Sequence, residues 1–134
     1  MGLPRRSTAA EPPVILVVDA DREAARLLAD YLTRQGFRAS HTSRGEEALR
    51  LARSGRLGLA IVDVSLLDMS GHALTTSLKE IDREIPILMT SGDDRPELEL
   101  RARQVGVLYY AHKPTDYRRL ETVVAKVVGG SECG

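Results

Sequence analysis

Cysteine is nearly absent from this chain. The single one, Cys133, excludes an internal disulfide and fits a reducing compartment. Net charge is absent too: 19 basic and 19 acidic side chains cancel, which argues against broad electrostatic adhesion to nucleic acid or to anionic membrane. No apolar run approaches the roughly 20 residues that a membrane span needs. The first dozen residues carry Arg5 and Arg6 without an apolar h-region, so no secretory signal is expected. These absences point to a cytoplasmic protein without nucleic-acid or membrane partners. Neither G-x-G-x-x-G nor G-x-x-x-x-G-K-[ST] occurs, which removes dinucleotide and P-loop readings. His41, His72 and His112 lack metal-ligand spacing and read as structural.

What remains is enough for one folded domain. The chain has 134 residues, 43% of them hydrophobic, which leaves room for a genuine core. Residues 1–13 hold three prolines and read as a disordered arm, residues 14–128 as the domain and 129–134 as a flexible tail. Val14 to Val18 is an apolar, mostly β-branched run that ends at Asp19. Leu59 to Val62 repeats the pattern and ends at Asp63. Continuous apolar runs of this length read as strands buried on both faces. Phe37 to His41, Pro86 to Met89 and Val107 to Ala111 supply three more strands.

Helical spacing fills the gaps between them. Asp21 is the expected N-cap of a helix with Ala24, Leu28, Tyr31 and Leu32 inward, closed by Gly36. Ser43 with Glu46 and Asp94 with Glu97 have the letters of capping boxes, Pro96 fitting the first turn of the second. Leu74, Leu78 and Ile81 line one face of the helix after Gly71. Thr115 is the expected start of the last helix, with Leu120, Val123, Val124 and Val127 inward.

Strictly alternating strands and helices imply an α/β fold with a parallel sheet covered on both faces. All strand carboxyl ends then share one edge, where such folds place their ligands. Asp19, Asp63, Thr90 with Ser91, and Lys113 all fall there. Carboxylates can hold a hard dication, or one can act as a nucleophile that forms an aspartyl phosphate. Lysine adds a point charge for a phosphoryl oxygen, and a hydroxyl adds a neutral hydrogen bond.

In this order and spacing, Asp19, Asp63, Thr90 and Lys113-Pro114 resemble the receiver domain of two-component response regulators, and Gly45-Glu46-Glu47-Ala48-Leu49 is similar to that family's second helix. The resemblance covers about Val14 to Val128. It implies a flavodoxin-like (βα)5 doubly wound sheet of strand order 2-1-3-4-5. It further implies a signalling domain rather than an enzyme in the ordinary sense. Asp63 would accept a phosphoryl group from a phosphohistidine. Asp19, Asp63 and the Ser65 main-chain carbonyl would hold Mg2+, Lys113 would pair with the phosphoryl group, and Thr90 and Tyr110 would form the switch. The implied partners are a sensor histidine kinase or phosphotransfer protein, and a downstream protein on the face of residues 95–104, 107–110 and 115–128.

Three positions depart from the family pattern. Ala20 stands where a second acidic metal ligand is usual, Leu67 where a proline is common, and Thr115 where an aromatic is common. Ala20 alone removes a reacting group, and it weakens the expected hold on Mg2+. It also keeps open a second reading, a pseudo-receiver that works as an interaction module without phosphate. A third reading takes Asp19-Ala20-Asp21 as the D-x-D of haloacid-dehalogenase-like phosphatases, with Asp19 as nucleophile. That reading gives Asp63 no role.

Overall fold

The computed structural model describes residues 13–133, with side chains as far as residue 129. Ten elements alternate: β1 (Val14–Val18), α1 (Arg22–Arg34), β2 (Ala39–Thr42), α2 (Gly45–Arg53), β3 (Leu57–Asp63), α3 (Gly71–Ile81), β4 (Ile87–Ser91), α4 (Pro96–Gln104), β5 (Tyr109–His112) and α5 (Tyr117–Cys133). The five strands form one sheet in the order β2-β1-β3-β4-β5, and every pairing is parallel. This is the flavodoxin-like arrangement expected from the sequence.

Side-chain alternation along the strands splits the core into two layers. Leu16 and Val18 face α2 and α3, together with Ala48, Leu74, Leu78 and Met89. Ile15 and Val17 face the other way, into a layer with Leu28, Leu32, Leu120 and Val124 from α1 and α5. Each fully buried Leu, Ile or Val contributes about 1.5–3 kcal/mol over leaving it exposed. Exposed ion pairs such as Arg26–Glu23 on α1 contribute about 0–1 kcal/mol each. Apolar layering therefore holds the sheet. β2, less apolar in sequence, lies at one edge and is only partly covered.

Local signals held at some helix ends and failed at others. Asp21 caps α1, its Oδ1 accepting from the Ala24 amide at 3.1 Å. Gly36 follows α1 with φ +99°, a conformation open to glycine and costly for other residues. The two capping boxes are corrections. α2 begins after Arg44 and α4 after Arg95, and neither of these N-cap residues makes a side-chain cap hydrogen bond. α5 starts at Tyr117 rather than Thr115, with Asp116 Oδ1 accepting from the Arg119 amide at 3.2 Å. Its helical backbone runs on through residues 129–133, where a tail was expected. Ile81, the last residue of α3, is exposed rather than inward. The arm expected over residues 1–13 lies outside the described residues except for Pro13.

Candidate functional site

Register brings the carboxylates together. Val18 of β1 pairs with Val62 of β3, so Asp19 and Asp63 leave adjacent strands at the same level, and Asp63 in turn pairs with Thr90 of β4. Both Asp side chains are buried, at 6% and 5% residue exposure. Lys113, one residue past β5, reaches back over the edge of the sheet. Its Nζ lies 2.7 Å from Asp19 Oδ2 and 2.9 Å from Asp63 Oδ1. Thr90 Oγ1 donates to Asp63 Oδ1 at 3.0 Å. The Ser65 amide donates to Asp63 Oδ2 at 2.9 Å, and the Asp21 amide to Asp19 Oδ1 at 2.9 Å. Asp19, Asp63, Lys113 and Ser65, all named from the sequence, thus line one pocket together with Gly92 and Asp93, and Thr90, also named, joins it through its hydrogen bond to Asp63.

Charge in this pocket is unbalanced: two carboxylates face one ammonium. Burial lifts the Asp19 carboxyl above its ordinary range, and the nearby Asp63 charge adds to this, outweighing the hydrogen bonds from Lys113 and the Asp21 amide. Burial also pulls Lys113 down, but its hydrogen bonds to Asp19 and Asp63 and the charges of both outweigh that, and its pKa is raised. The site favours an added cation.

An oxygen-ligand set is present for one. Mg2+ is usually held by one or two carboxylates with several waters retained, and Asp19, Asp63 and the Ser65 carbonyl fit that minimum. Nothing exceeds the minimum: among the described residues no group of three or more His, Cys, Asp or Glu could hold a metal ion. Ala20 offers a methyl where a carboxylate would enlarge the set. Its amide donates to the Ser65 carbonyl at 3.1 Å, leaving that oxygen one lone pair. Asp21, one residue on, is engaged at the start of α1, its Oδ1 accepting from the Ala24 amide.

Tyr110 is buried, its ring edge-on to His112 with centroids 5.4 Å apart. Its hydroxyl has no hydrogen-bond partner among the described residues. Two further residues were not singled out from the sequence in these roles. Asp68, in the β3–α3 turn, accepts from the amides of Gly45 at 2.7 Å and Glu46 at 3.2 Å. Buried His72, on α3, hydrogen-bonds the Leu98 carbonyl of α4 through Nε2 at 3.1 Å. Neither contact has a local signature, since the partners lie more than twenty residues away.

A family model described as the response regulator receiver domain matches residues 15–125. The chain belongs to that family. It is therefore a receiver domain of two-component signalling, which sets aside the phosphatase reading of Asp19. The polar-differentiation response regulator DivK of Brucella anthropi is 30% identical over 120 residues, covering 88% of this chain and 98% of DivK. The transcriptional regulatory protein ZraR of Salmonella typhimurium is 31% identical over 114 residues, 85% of this chain. The receiver spans only about a quarter of that regulator, 26% of its length. Among solved structures, a response regulator from Burkholderia pseudomallei, crystallised with a phosphorylated aspartic acid, calcium ion and citrate, superposes with a TM-score of 0.74. It is 27% identical, over 86% of this chain and 66% of that one.

Proposed function

We propose that this receiver accepts a phosphoryl group on Asp63 from a phosphohistidine on a sensor kinase or phosphotransfer protein. One observation carries the reading: a single carboxylate at the end of a central strand receives Lys113 and Thr90 on one oxygen and the Ser65 amide on the other. A carboxylate oxygen of Asp63 attacks phosphorus, the P–N bond breaks, and the electron pair returns to the donor imidazole. The charge on the phosphoryl oxygens then faces Lys113, whose ammonium is already within reach, and the Thr90 hydroxyl. Mg2+, held by Asp19, Asp63 and the Ser65 carbonyl, supplies further charge neutralisation when bound. Its affinity is lowered by Ala20. Thr90 and buried Tyr110 form the switch, and output passes by protein contact on the face of residues 95–104, 107–110 and 115–128. In DivK the matching receiver makes up nearly the whole protein. The reading places it in the cytoplasm, where such a donor is met.

Incubation with acetyl phosphate or a phosphorylated histidine donor, with and without Mg2+, followed by intact mass, tests this. One phosphoryl adduct is expected, abolished in Asp63→Asn. An adduct that persists in that variant and maps to Asp19 sinks the assignment. A second reading, a pseudo-receiver that signals without phosphate, is favoured by Ala20 and by the internal hydrogen bonds on both Asp19 oxygens. No adduct under any condition, with a folded chain, selects it.

A further inference from the structure

The β3–α3 turn is tied down at both ends. Its base is a narrow antiparallel closure, with Ser65 bridged to Ser70 and the Leu66 amide donating to the Met69 carbonyl at 3.2 Å. At that base the Ser65 amide holds Asp63 and the Ser65 carbonyl accepts from Ala20. The tip docks elsewhere, on the start of α2. There Asp68 spreads its two oxygens over the Gly45 and Glu46 amides, and the Leu67 amide donates to the Ser43 carbonyl at 3.0 Å. Met69 packs so closely on Gly45 that a Cβ there would meet its sulfur at 2.7 Å. Both anionic oxygens of Asp68 sit where an α-helix leaves amides unsatisfied. Burial alone would raise the Asp68 carboxyl, but these two amides and nearby Arg44 outweigh it and hold it below its usual range.

We infer that Asp68 is a positioning residue for the phosphoacceptor site: by clamping the tip of the turn onto α2, it fixes the Ser65 amide and carbonyl at the base. The inference deepens the phosphoacceptor reading and rests on it for the metal. With Ala20 in place of an acid, the Ser65 carbonyl is one of three ligands that the functional reading assigns to the cation, so its placement matters more than in a pocket with a carboxylate at position 20. Residues that orient metal ligands without touching the metal commonly change affinity by at least tenfold.

Two measurements on apo protein and one with metal test the clamp. In Asp68→Ala, amide hydrogen exchange at Ala20 and Ser65 should accelerate, because those amides report the carbonyl and the Asp63 contact at the turn base. Mg2+ affinity by calorimetry should fall about tenfold. Asp68→Asn, which keeps one acceptor oxygen, should recover most of both. Arg50→Gly weakens α2 from an exposed position while keeping Asp68 and both its amide partners, and serves as the control. At a matched loss of melting temperature it should leave exchange at Ala20 and Ser65 unchanged. Equal exchange in Asp68→Ala and Arg50→Gly overturns the inference and reduces Asp68 to a helix cap. If the wild-type chain takes no Mg2+, the metal part of the functional reading fails, while exchange at Ala20 and Ser65 still decides the role of Asp68.

Discussion

At neutral pH the Lys113 ammonium stands 2.7 Å from one carboxylate and 2.9 Å from another, and it can neutralise only one charge. Two carboxylates roughly 4–5 Å apart at an effective dielectric near 20 repel by about 3–4 kcal/mol before that offset. Asp63→Asn relieves the repulsion and keeps one acceptor oxygen for Thr90 and Lys113, an exchange that outweighs the lost bond from the Ser65 amide. The apo melting temperature should therefore rise by about 3 °C, the equivalent of roughly 1 kcal/mol in a domain of this size. A clear drop in a low-salt thermal melt would mark Asp63 as a structural anchor instead. Ala20 separates the metal from the fold more sharply. Ala20→Asp adds an anionic oxygen facing the cation, so Mg2+ binding should tighten and phosphorylation speed up. A third carboxylate also adds repulsion when no metal is bound, so apo stability should fall by about 1 kcal/mol. Calorimetric titration and chelator-treated melts of both proteins read the two opposite signs. Unchanged affinity would show that position 20 does not face the cation.

Among the helices α4 stands apart at the level of elements. Its buried set is Ala102 alone, and its N-cap residue makes no side-chain cap hydrogen bond. Few buried apolar contacts mean a low local opening energy. Its anchors include His72 Nε2 on the Leu98 carbonyl at 3.1 Å and His112 Nε2 near Glu99 Oε1 at 3.6 Å. Amides of α4 should exchange before those of α1, α2 and α3, and His72→Ala should accelerate them further while moving the global melt only slightly. Protection in α4 equal to that of α1 would refute this. The same contrast explains what could be read from the sequence. Strands ending in Asp19 and Asp63 were legible, because an apolar run stops at a carboxylate within one segment. The Asp21 cap was legible for the same local reason. Ser43 with Glu46 misled because the Glu46 amide, which the Ser43 side chain would take in such a box, is taken by Asp68, 22 residues away. The tie between α3 and α4 through His72 spans 26 residues and leaves no periodic trace. Short-range chemistry was written in the chain, whereas partners chosen by the tertiary fold were not.

Over the whole molecule, the titrating groups divide unevenly between acid and base. On the acid side the shifts oppose one another. Asp68 and Asp93 are held below the ordinary carboxylate value of 3.8, so their contribution is present above it and lost as pH falls through the folded value. Asp19 is raised, so its ionised form is a cost at neutral pH that is relieved on the way down to 3.8. On the alkaline side three shifts agree. Tyr31, hydrogen-bonded to Glu121, and Tyr117, raised by burial, both hold their protons above 10.0. Lys113 holds its proton above 10.5. A group with a raised folded pKa binds more protons folded than unfolded across that window, so stability falls as pH rises through it. Urea unfolding of the chelated protein should therefore show a shallow acid limb and a steep loss beginning above pH 10. Lys113→Met isolates the site's share. At pH 7 it leaves two buried carboxylates without their cation and should cost about 3 kcal/mol, at the low end for breaking a buried pair because the site opens to water. Above 10.5 the unfolded lysine sheds its proton while the folded one still holds it, so the gap between the two proteins should narrow from there and close as pH passes the raised folded value. A gap that stays constant to pH 11.5 would mean that Lys113 acts on stability through its packing, and not through the charge it brings to Asp19 and Asp63.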